Sequence, residues 1–184
     1  MRWHWIDRFT EFVHGERAAA VKNVTLAEEY LDEFSEDCPV FPASLIVEGM
    51  AQTGGLLVGE YNAFRERVVL AKLARARFHG TAGPGDQLRY EAELQDIRAD
   101  GAIVFGTVKR NDEPLADIEL VFAHLAGSDS PEGLFFPADF LRMLRVLRLY
   151  SVGRHADGSP LVVPPHMLEA EAAQIGGDGG GPAA

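Results

Sequence analysis

Several features that define other classes of protein are scarce or missing in this sequence. It has one cysteine, Cys38, which excludes an internal disulfide framework and a multi-cysteine zinc site. The first residues lack the apolar core of a secretion signal. The longest apolar stretch, residues 45–58, contains Glu48, Gln52 and three glycines, and it is shorter than the roughly 20 residues that a membrane-spanning helix needs. We therefore expect a cytoplasmic protein without a transmembrane segment.

Positive charge is also in short supply. Lysine and arginine total 17 against 28 aspartates and glutamates, so the formal net charge is −11. Such an acidic surface repels phosphate backbones, which excludes nucleic acid as an expected partner. The six histidines are scattered, with no pair at the helical spacing of metal ligands, so we expect neither a metal nor a cofactor. With 184 residues, of which 47% are apolar, the chain is long enough for one well-packed core.

Two kinds of hydrophobic pattern are present in residues 1–127, which we expect to form one domain. A nearly all-apolar segment from Ala43 to about Tyr61 predicts a buried helix, because its length and its Ala, Leu and Met content favour helix over strand. Elsewhere apolar and polar residues alternate with a period of two, which predicts antiparallel strands. The strand candidates are residues 17–26, 68–78, 88–95, 102–110 and 118–124. A central helix followed by an antiparallel meander predicts an α+β fold with the helix packed on the sheet.

The rest of the chain has a different composition. Over residues 128–150 we expect a linker and then an amphipathic helix from Pro137 to Tyr150, since proline suits the first turn. One flank of that helix would carry three arginines at a spacing of three residues: Arg142, Arg145 and Arg148. Gly, Pro and Ala dominate residues 151–184, which we expect to be disordered.

Glu48 is conspicuous because its neighbours along the predicted helix are apolar. Helical geometry places Gln52, Gly55 and Gly59 on the same face. A carboxylate is expensive to bury unless it is paired, hydrogen-bonded or neutral, so Glu48 is either a general acid or base or a structural acid. The glycines would admit a thin ligand, or they permit tight packing of helix on sheet. Unpaired N–H groups at the helix start near Ala43 would suit a carbonyl oxygen or an oxyanion.

Four separate segments, in order and at compatible spacing, carry a family resemblance. They are residues 23–25 (NVT), 39–55 (PVFPASLIVEGMAQTGG), 76–78 (ARF) and 84–88 (PGDQL). Together they resemble the FabZ-type 3-hydroxyacyl-[acyl carrier protein] dehydratases of the hot-dog fold, over about residues 4–127. The resemblance implies a long helix wrapped by an antiparallel sheet, with a C-terminal helical extension added in this chain. It also implies a homodimer or a trimer of dimers, or a heterodimer with a paralogue.

In that family the active site lies between two subunits. A histidine from one subunit removes the α-proton of a 3-hydroxyacyl thioester, and a glutamate on the partner's central helix handles the departing hydroxyl. Backbone N–H groups polarise the thioester carbonyl. The resemblance implies that Glu48 is this glutamate and that Gln52 is the family's glutamine one turn later. The residues that it implies for substrate binding are Val40, Phe41, Pro42, Ala43, Gln52 and Gly55.

The family's histidine is missing from this chain. Phe34 stands at its position in an alignment without gaps, and Glu33 does after a shift of one residue. Asp37 also replaces a glycine of the family's pattern, in the turn that the resemblance implies for binding the oxyanion. Four histidines are candidate substitutes, although each is expected to be a surface or structural residue: His4, His14, His79 and His124. Cys38 is expected to be a packing residue, because neighbouring acids disfavour a thiolate.

Three functions are compatible with this combination of residues. One is a dehydratase of fatty acid or lipid biosynthesis in which catalysis is impaired or depends on a partner, since loss of a general base costs about 10²–10⁴-fold in rate. Another is a non-catalytic acyl-binding subunit that pairs with a histidine-bearing paralogue. The third is a hot-dog thioesterase that uses Glu48 and a water. The sequence favours the first.

The expected substrate is an acyl thioester carried by acyl carrier protein or by coenzyme A. Carrier proteins are typically acidic, so docking to a chain of net charge −11 requires a local basic patch. The candidates for it are Arg75, Arg77, Arg142, Arg145 and Arg148. The alternative for the last three is a solvated flank of an amphipathic helix.

Overall fold

The computed structural model describes residues 4–28, 39–125 and 137–177 of the chain. Its strands are β1 (Arg8–Val13), β2 (Arg17–Asn23), β3 (Arg67–Phe78), β4 (Gln87–Ile97), β5 (Gly101–Arg110), β6 (Glu113–Leu125) and β7 (Gly153–Arg154). Its helices are α1 (Ala43–Tyr61), α2 (Pro137–Val146), α3 (Leu149–Val152) and α4 (Pro165–Gly177). Four positions discussed above lie outside the described residues: Glu33, Phe34, Asp37 and Cys38.

The predicted central helix is confirmed, from Ala43 to Tyr61. It begins where the Pro42 carbonyl accepts hydrogen bonds from the N–H groups of Leu45 and Ile46, at 3.0 and 3.2 Å. It ends before Ala63 and Phe64, which both adopt the left-handed conformation that a helix cannot continue through. The helix packs against strands β2 to β6, and its buried side chains include Ile46, Met50 and Leu57.

The sheet has seven strands in the order β3-β6-β5-β4-β2-β1-β7. All neighbours pair antiparallel except β1 and β7, which pair parallel. On β4, β5 and β6 every second side chain is buried against α1, as the alternating pattern predicts. An antiparallel sheet that wraps a long buried helix is the hot-dog fold, so the predicted α+β class is confirmed.

The sequence analysis missed strand β1. Its two buried aromatics, Phe9 and Phe12, are three residues apart, whereas a regular strand would bury every second side chain. The register between β1 and β2 shifts between Phe9 and Glu11, and this irregularity brings both rings onto the core side. The rings then pack edge to face, with centroids 5.2 Å apart.

The C-terminal residues differ from the expectation in two ways. The predicted single helix from Pro137 to Tyr150 is wrong, because α2 ends at Val146 and Arg148 adopts a left-handed conformation before α3 begins. The expected disorder from residue 151 is also wrong as far as Gly177, since β7 and α4 lie in that range.

Contacts with β1 explain both differences. The Leu147 carbonyl accepts the N–H of Phe9 at 2.8 Å, and the Arg154 carbonyl accepts the N–H of His14 at 2.9 Å. Leu149, Leu161 and Met167 are buried in the same core. We call residues 137–177 the C-terminal extension. The extension adds an edge strand and three helices to the sheet. Tertiary contacts therefore order residues 151–177, whose Gly, Pro and Ala content led us to expect disorder.

Candidate functional site

Glu48 lies in the second turn of α1 and is half-buried. Its Oε1 accepts a hydrogen bond from Gln52 Nε2 at 3.0 Å, one helical turn away. Gln52 Oε1 in turn accepts the backbone N–H of Trp5 at 2.9 Å. The amide of Gln52 is thereby oriented from one side by the backbone, and its other end donates to the carboxylate. The hydrogen bond from Gln52 therefore orients the Glu48 carboxylate, which is not fully buried.

Packing of the N-terminal segment places Trp5 beside the helix. The Trp5 ring is buried and lies edge to face with Phe41, at a centroid distance of 6.0 Å. Phe41 is fixed by its N–H, which donates to the Ala82 carbonyl at 2.7 Å. The segment before β1 therefore packs against the residues that lead into α1. The hydrogen bond between Trp5 and Gln52 joins positions 47 residues apart in the chain and was missed by the sequence analysis.

The residues implied to bind substrate lie around the start of α1, with different exposure. Phe41 is buried in the core, Val40 and Pro42 are half-buried, and Ala43 is exposed at the first helical position. Gly55 is half-buried one turn beyond Gln52, and a Cβ there would lie 3.3 Å from the Phe122 ring. Gln52 and Gly55 lie on the half-buried helix face that carries Glu48.

The glycines of α1 serve close packing of the helix on the sheet. A Cβ at Gly49 would lie 2.5 Å from both Cζ and Oη of Tyr90, on strand β4. On the sheet side, a Cβ at Gly106 would lie 2.3 Å from Met50 Sδ. A glycine on each surface thus leaves room for a large side chain of the other, Tyr90 beside Gly49 and Met50 beside Gly106. For Gly49, the packing alternative weighed in the sequence analysis is the one that the structure shows.

Three of the four histidines that the sequence analysis considered as candidate bases already have acidic partners. His14 Nδ1 lies 2.6 Å from Glu60 Oε2, at the end of α1 opposite to Glu48. Twelve residues of helix separate Glu48 from Glu60, a rise of about 18 Å. His79 Nε2 lies 2.8 Å from Asp117 Oδ2 with both side chains about one-third exposed, and His124 Nδ1 is 3.4 Å from Glu66.

His4 is the candidate that the chain brings towards the glutamate. It directly precedes Trp5, whose N–H binds Gln52, and it is half-buried. His14 cannot act as a base in the same site as Glu48 of its own chain, because the length of α1 from Glu48 to Glu60 separates them.

The five candidate docking arginines do not form one patch. Arg75 and Arg77 are exposed on the edge strand β3. Arg145 forms a two-pronged ion pair with Glu171, which joins α2 to α4. Arg142 is exposed in α2, whereas Arg148 lies beyond the end of that helix. The predicted arginine flank is therefore wrong for Arg148, because the chain leaves the helical path after Val146.

Two further findings concern metal ligands and membrane-spanning helices. Within residues 4–28, 39–125 and 137–177, no three His, Cys, Asp or Glu side chains gather as metal ligands would. In the same part of the chain, no helix combines the length and hydropathy that crossing a bilayer requires.

A long buried helix that presents an oriented carboxylate, wrapped by an antiparallel sheet, defines a hot-dog protein. The sequence model of the FabA-like domain matches residues 2–119, and the chain belongs to that family. The 3-hydroxyacyl-[acyl-carrier-protein] dehydratase FabZ of Bacillus licheniformis is 39% identical over 120 residues, which are 64% of this chain and 83% of the relative. The FabZ dehydratase of Bacillus subtilis is 39% identical over 122 residues, 64% of this chain and 84% of the relative.

Solved structures agree on the fold. The dehydratase heterocomplex ApeI:P from Xenorhabdus doucetiae aligns with a TM-score of 0.57 at 14% identity, over 66% of this chain and 83% of the solved chain. The Streptococcus mutans protein smu.793, solved with acetyl CoA, aligns with a TM-score of 0.54 at 13% identity, over 66% and 90%. At these identities the likeness concerns the hot-dog fold alone.

Proposed function

We propose that this protein is a FabZ-like subunit that binds 3-hydroxyacyl thioesters of fatty acid or lipid biosynthesis, and that its dehydration activity is impaired or depends on a partner. One observation carries the proposal: Glu48 is held by Gln52 and the Trp5 amide on the central helix of a chain that is 39% identical to FabZ dehydratases. In this role Glu48 handles the departing hydroxyl group of the substrate.

Dependence on a partner follows from where the histidines lie. No histidine occurs between His14 and His79, a range that includes residues 24–42, between β2 and α1, and α1 itself. A histidine-bearing paralogue would supply the base that removes the α-proton, and Glu48 would complete that composite site. The other composite site of such a heterodimer would lack a base, because Phe34 or Glu33 stands in its place.

The edge strand β3 supports assembly of two subunits. It lies at one end of the strand order and is half-buried or exposed along all of its 12 residues, with Leu70 and Leu73 among the exposed ones. An exposed, partly apolar edge is an unstable surface for a monomer and a template for pairing with another strand. We infer that two copies, or this chain and a paralogue, join their sheets along β3.

The same strand supports docking of an acidic carrier. β3 contains Arg67, Lys72, Arg75 and Arg77 and no acidic residue, in a chain of net charge −11. Arg75 and Arg77 are exposed, so they are the best placed of the five candidates to attract a carrier protein. Arg145 is the least suited, because Glu171 already neutralises it.

The test is a hydration–dehydration assay with a crotonyl or 3-hydroxyacyl thioester on four proteins: the unmodified chain, Phe34→His, Glu48→Gln and Phe34→His/Glu48→Gln. We expect little turnover by the unmodified homomer, because it lacks the base, and a gain of at least about tenfold in Phe34→His. Adding Glu48→Gln should remove that gain, since an amide cannot take or give the proton.

The control is Glu93→Gln, which removes an exposed carboxylate from β4. It should leave thioester binding and turnover unchanged, and circular dichroism should show that every variant is folded. Failure of Phe34→His to gain turnover, together with unaltered thioester binding in Glu48→Gln, would refute the proposal. Full turnover by the unmodified chain would refute the impairment and direct mutagenesis to His4.

A further inference from the structure

A buried acid lies where the C-terminal extension meets the end of α1. Glu60 is in the last turn of the helix, and its side chain is only 8% exposed. One of its oxygens, Oε2, is 2.6 Å from His14 Nδ1. A carboxylate is costly to bury without a compensating charge or hydrogen bond, so the contact with His14 is what allows the Glu60 side chain to be buried here.

The turn between β1 and β2 holds His14 in position. Gly15 adopts φ +67°, and a Cβ there would lie 3.3 Å from the Tyr61 ring, so the turn approaches α1 closely. The His14 ring stacks on Tyr61 with an interplanar angle of 4° and a centroid distance of 5.7 Å. Its backbone N–H donates to the Arg154 carbonyl at 2.9 Å. His14 thus contacts α1 through its ring and the extension through its backbone.

The extension places two more titratable groups beside this pair. The His155 ring follows β7 and lies 5.3 Å from the His14 ring. Tyr150, in α3, has a buried hydroxyl group with no hydrogen-bond partner among the described residues. Burial and the negative charge of the Glu60 carboxylate both raise the pKa of Tyr150, so its phenol stays neutral. The exposed Asp157 carboxylate interacts electrostatically with His155 from the solvent side.

The charge of the pair depends on one proton. With a proton on either partner, Glu60 and His14 together are neutral. Without it, a single negative charge is buried under the extension. With a second proton, a positive His14 faces His155, which carries the same charge when protonated. The buried pair is therefore most favourable when it holds one proton.

Burial raises the pKa of Glu60 above its ordinary value of 4.5, and the hydrogen bond from His14 and the charges of His14 and His155 partly offset this. Opening of the extension would hydrate the carboxyl group and return it towards its ordinary behaviour. The closed Glu60 carboxyl therefore keeps its proton to a higher pH than the open one, so its contribution to the stability of the closed state is present below pH 4.5 and is lost as the pH rises through the raised pKa.

We propose that a proton shared between Glu60 and His14 stabilises the contact of the C-terminal extension with His14 at the end of the central helix, and that the extension opens more readily as rising pH removes this proton. The inference concerns a part of the chain beyond the FabA-like match, which ends at residue 119. It does not depend on the proposed catalytic function.

Amide hydrogen exchange of the full chain tests the proposal. The reporters are the His14 N–H, which binds Arg154, and the Leu161 N–H, which binds Gly153. Each protection factor is divided by that of an amide in the central pair β4 and β5, to remove the effect of pH on the stability of the whole fold. We expect this ratio to fall about tenfold between pH 5 and pH 8. In Glu60→Gln, which lacks the buried acid, the ratio should lose this dependence on pH.

The matched control is His79→Gln, which breaks another His–carboxylate pair at 2.8 Å, between β3 and β6. It should keep the slope of the unmodified chain. A level ratio in the unmodified chain, or an equal slope in Glu60→Gln, would refute the proposal. If Glu60→Gln does not fold, carbon-13 NMR of the Glu60 carboxyl in the unmodified chain decides: its midpoint must match that of the exchange ratio, and a different midpoint overturns the proposal.

Discussion

At the scale of single residues, the packing of α1 on the sheet depends on where each surface lacks a side chain. Tyr90 is fully buried and occupies the space beside Gly49, next to Glu48. Burial also raises the pKa of the Tyr90 phenol well above its ordinary value. Met50 occupies the corresponding space beside Gly106 on β5. Because Gly49 directly follows Glu48, the depth at which the helix sits on β4 also sets the position of the carboxylate.

Gly49→Ala tests this contact. Alanine favours a helix over glycine by about 1 kcal/mol. The added Cβ, however, would lie 2.5 Å from a buried ring that has no room to move, and overpacking of this kind costs about 1–3 kcal/mol. We expect a net loss of stability, measured as a lower urea midpoint with an unchanged slope.

Gly80→Ala is the control for this substitution, because a Cβ there meets Leu115 at an ordinary 3.8 Å. Its free energy of unfolding should change by less than about 0.5 kcal/mol. A Gly49→Ala protein as stable as the unmodified one would show that Tyr90 can yield, and that the helix is not held at this depth.

At the scale of elements, strand β3 combines properties that rarely occur together. It is the longest exposed edge of the sheet, it carries only positive charges, and its neighbour β6 places Asp117 opposite Arg77 and Glu119 opposite Arg75. None of the ion pairs within 4 Å in the described residues involves Arg75 or Arg77. Neither guanidinium group is thus neutralised by an ion pair in the described residues, and both project from a face of the sheet, which pairing through the backbone edge leaves accessible.

Reversal of these two charges should weaken carrier binding. For Arg75→Glu/Arg77→Glu we expect the association rate with acyl carrier protein to fall about tenfold at low salt, and less at high salt, because steering between opposite charges is screened. Surface plasmon resonance at two salt concentrations measures this. Arg98→Glu, at the exposed turn between β4 and β5, should have no such effect. Equal rates for the double variant and the unmodified chain would exclude β3 as the docking surface.

At the scale of the whole molecule, the two edges of the sheet differ in what covers them. One edge is covered by the C-terminal extension, whose strand β7 pairs with β1 and whose α2 buries Leu141 and Leu144. The other edge, β3, pairs with no further strand in the part of the chain that the structure describes. A sheet with one protected and one open edge favours pairing of exactly two sheets through the open edge, since chains cannot grow further.

Light scattering on the full chain checks the assembly. We expect twice the mass of one chain, or six times if dimers form trimers, and no higher species that would indicate open-ended growth. Leu70→Lys/Leu73→Lys should shift the protein towards the monomer, because it places charge on the apolar part of the edge. Leu168→Lys, at an exposed position of α4, is the matched control and should leave the mass unchanged. An unmodified chain that is strictly monomeric by light scattering would contradict the expected pairing.

The sequence by itself determined the elements whose cause is local. The bounds of α1 follow from Pro42 and an apolar run of helix-forming residues, and strands β4 to β6 follow from strict alternation. The contact between Glu48 and Gln52 also follows, because residues four apart always meet on a helix.

Only the tertiary structure decided the contacts between distant segments. Trp5 with Gln52, His14 with Glu60 and Arg145 with Glu171 join positions 26 to 47 residues apart, and no local spacing indicates them. The same holds for strand β1, whose irregular register hides its pattern, and for the extension, whose order depends on the β1 edge. A periodic pattern records which face of a segment is buried, but the partner that buries it is chosen by the packing of the whole chain.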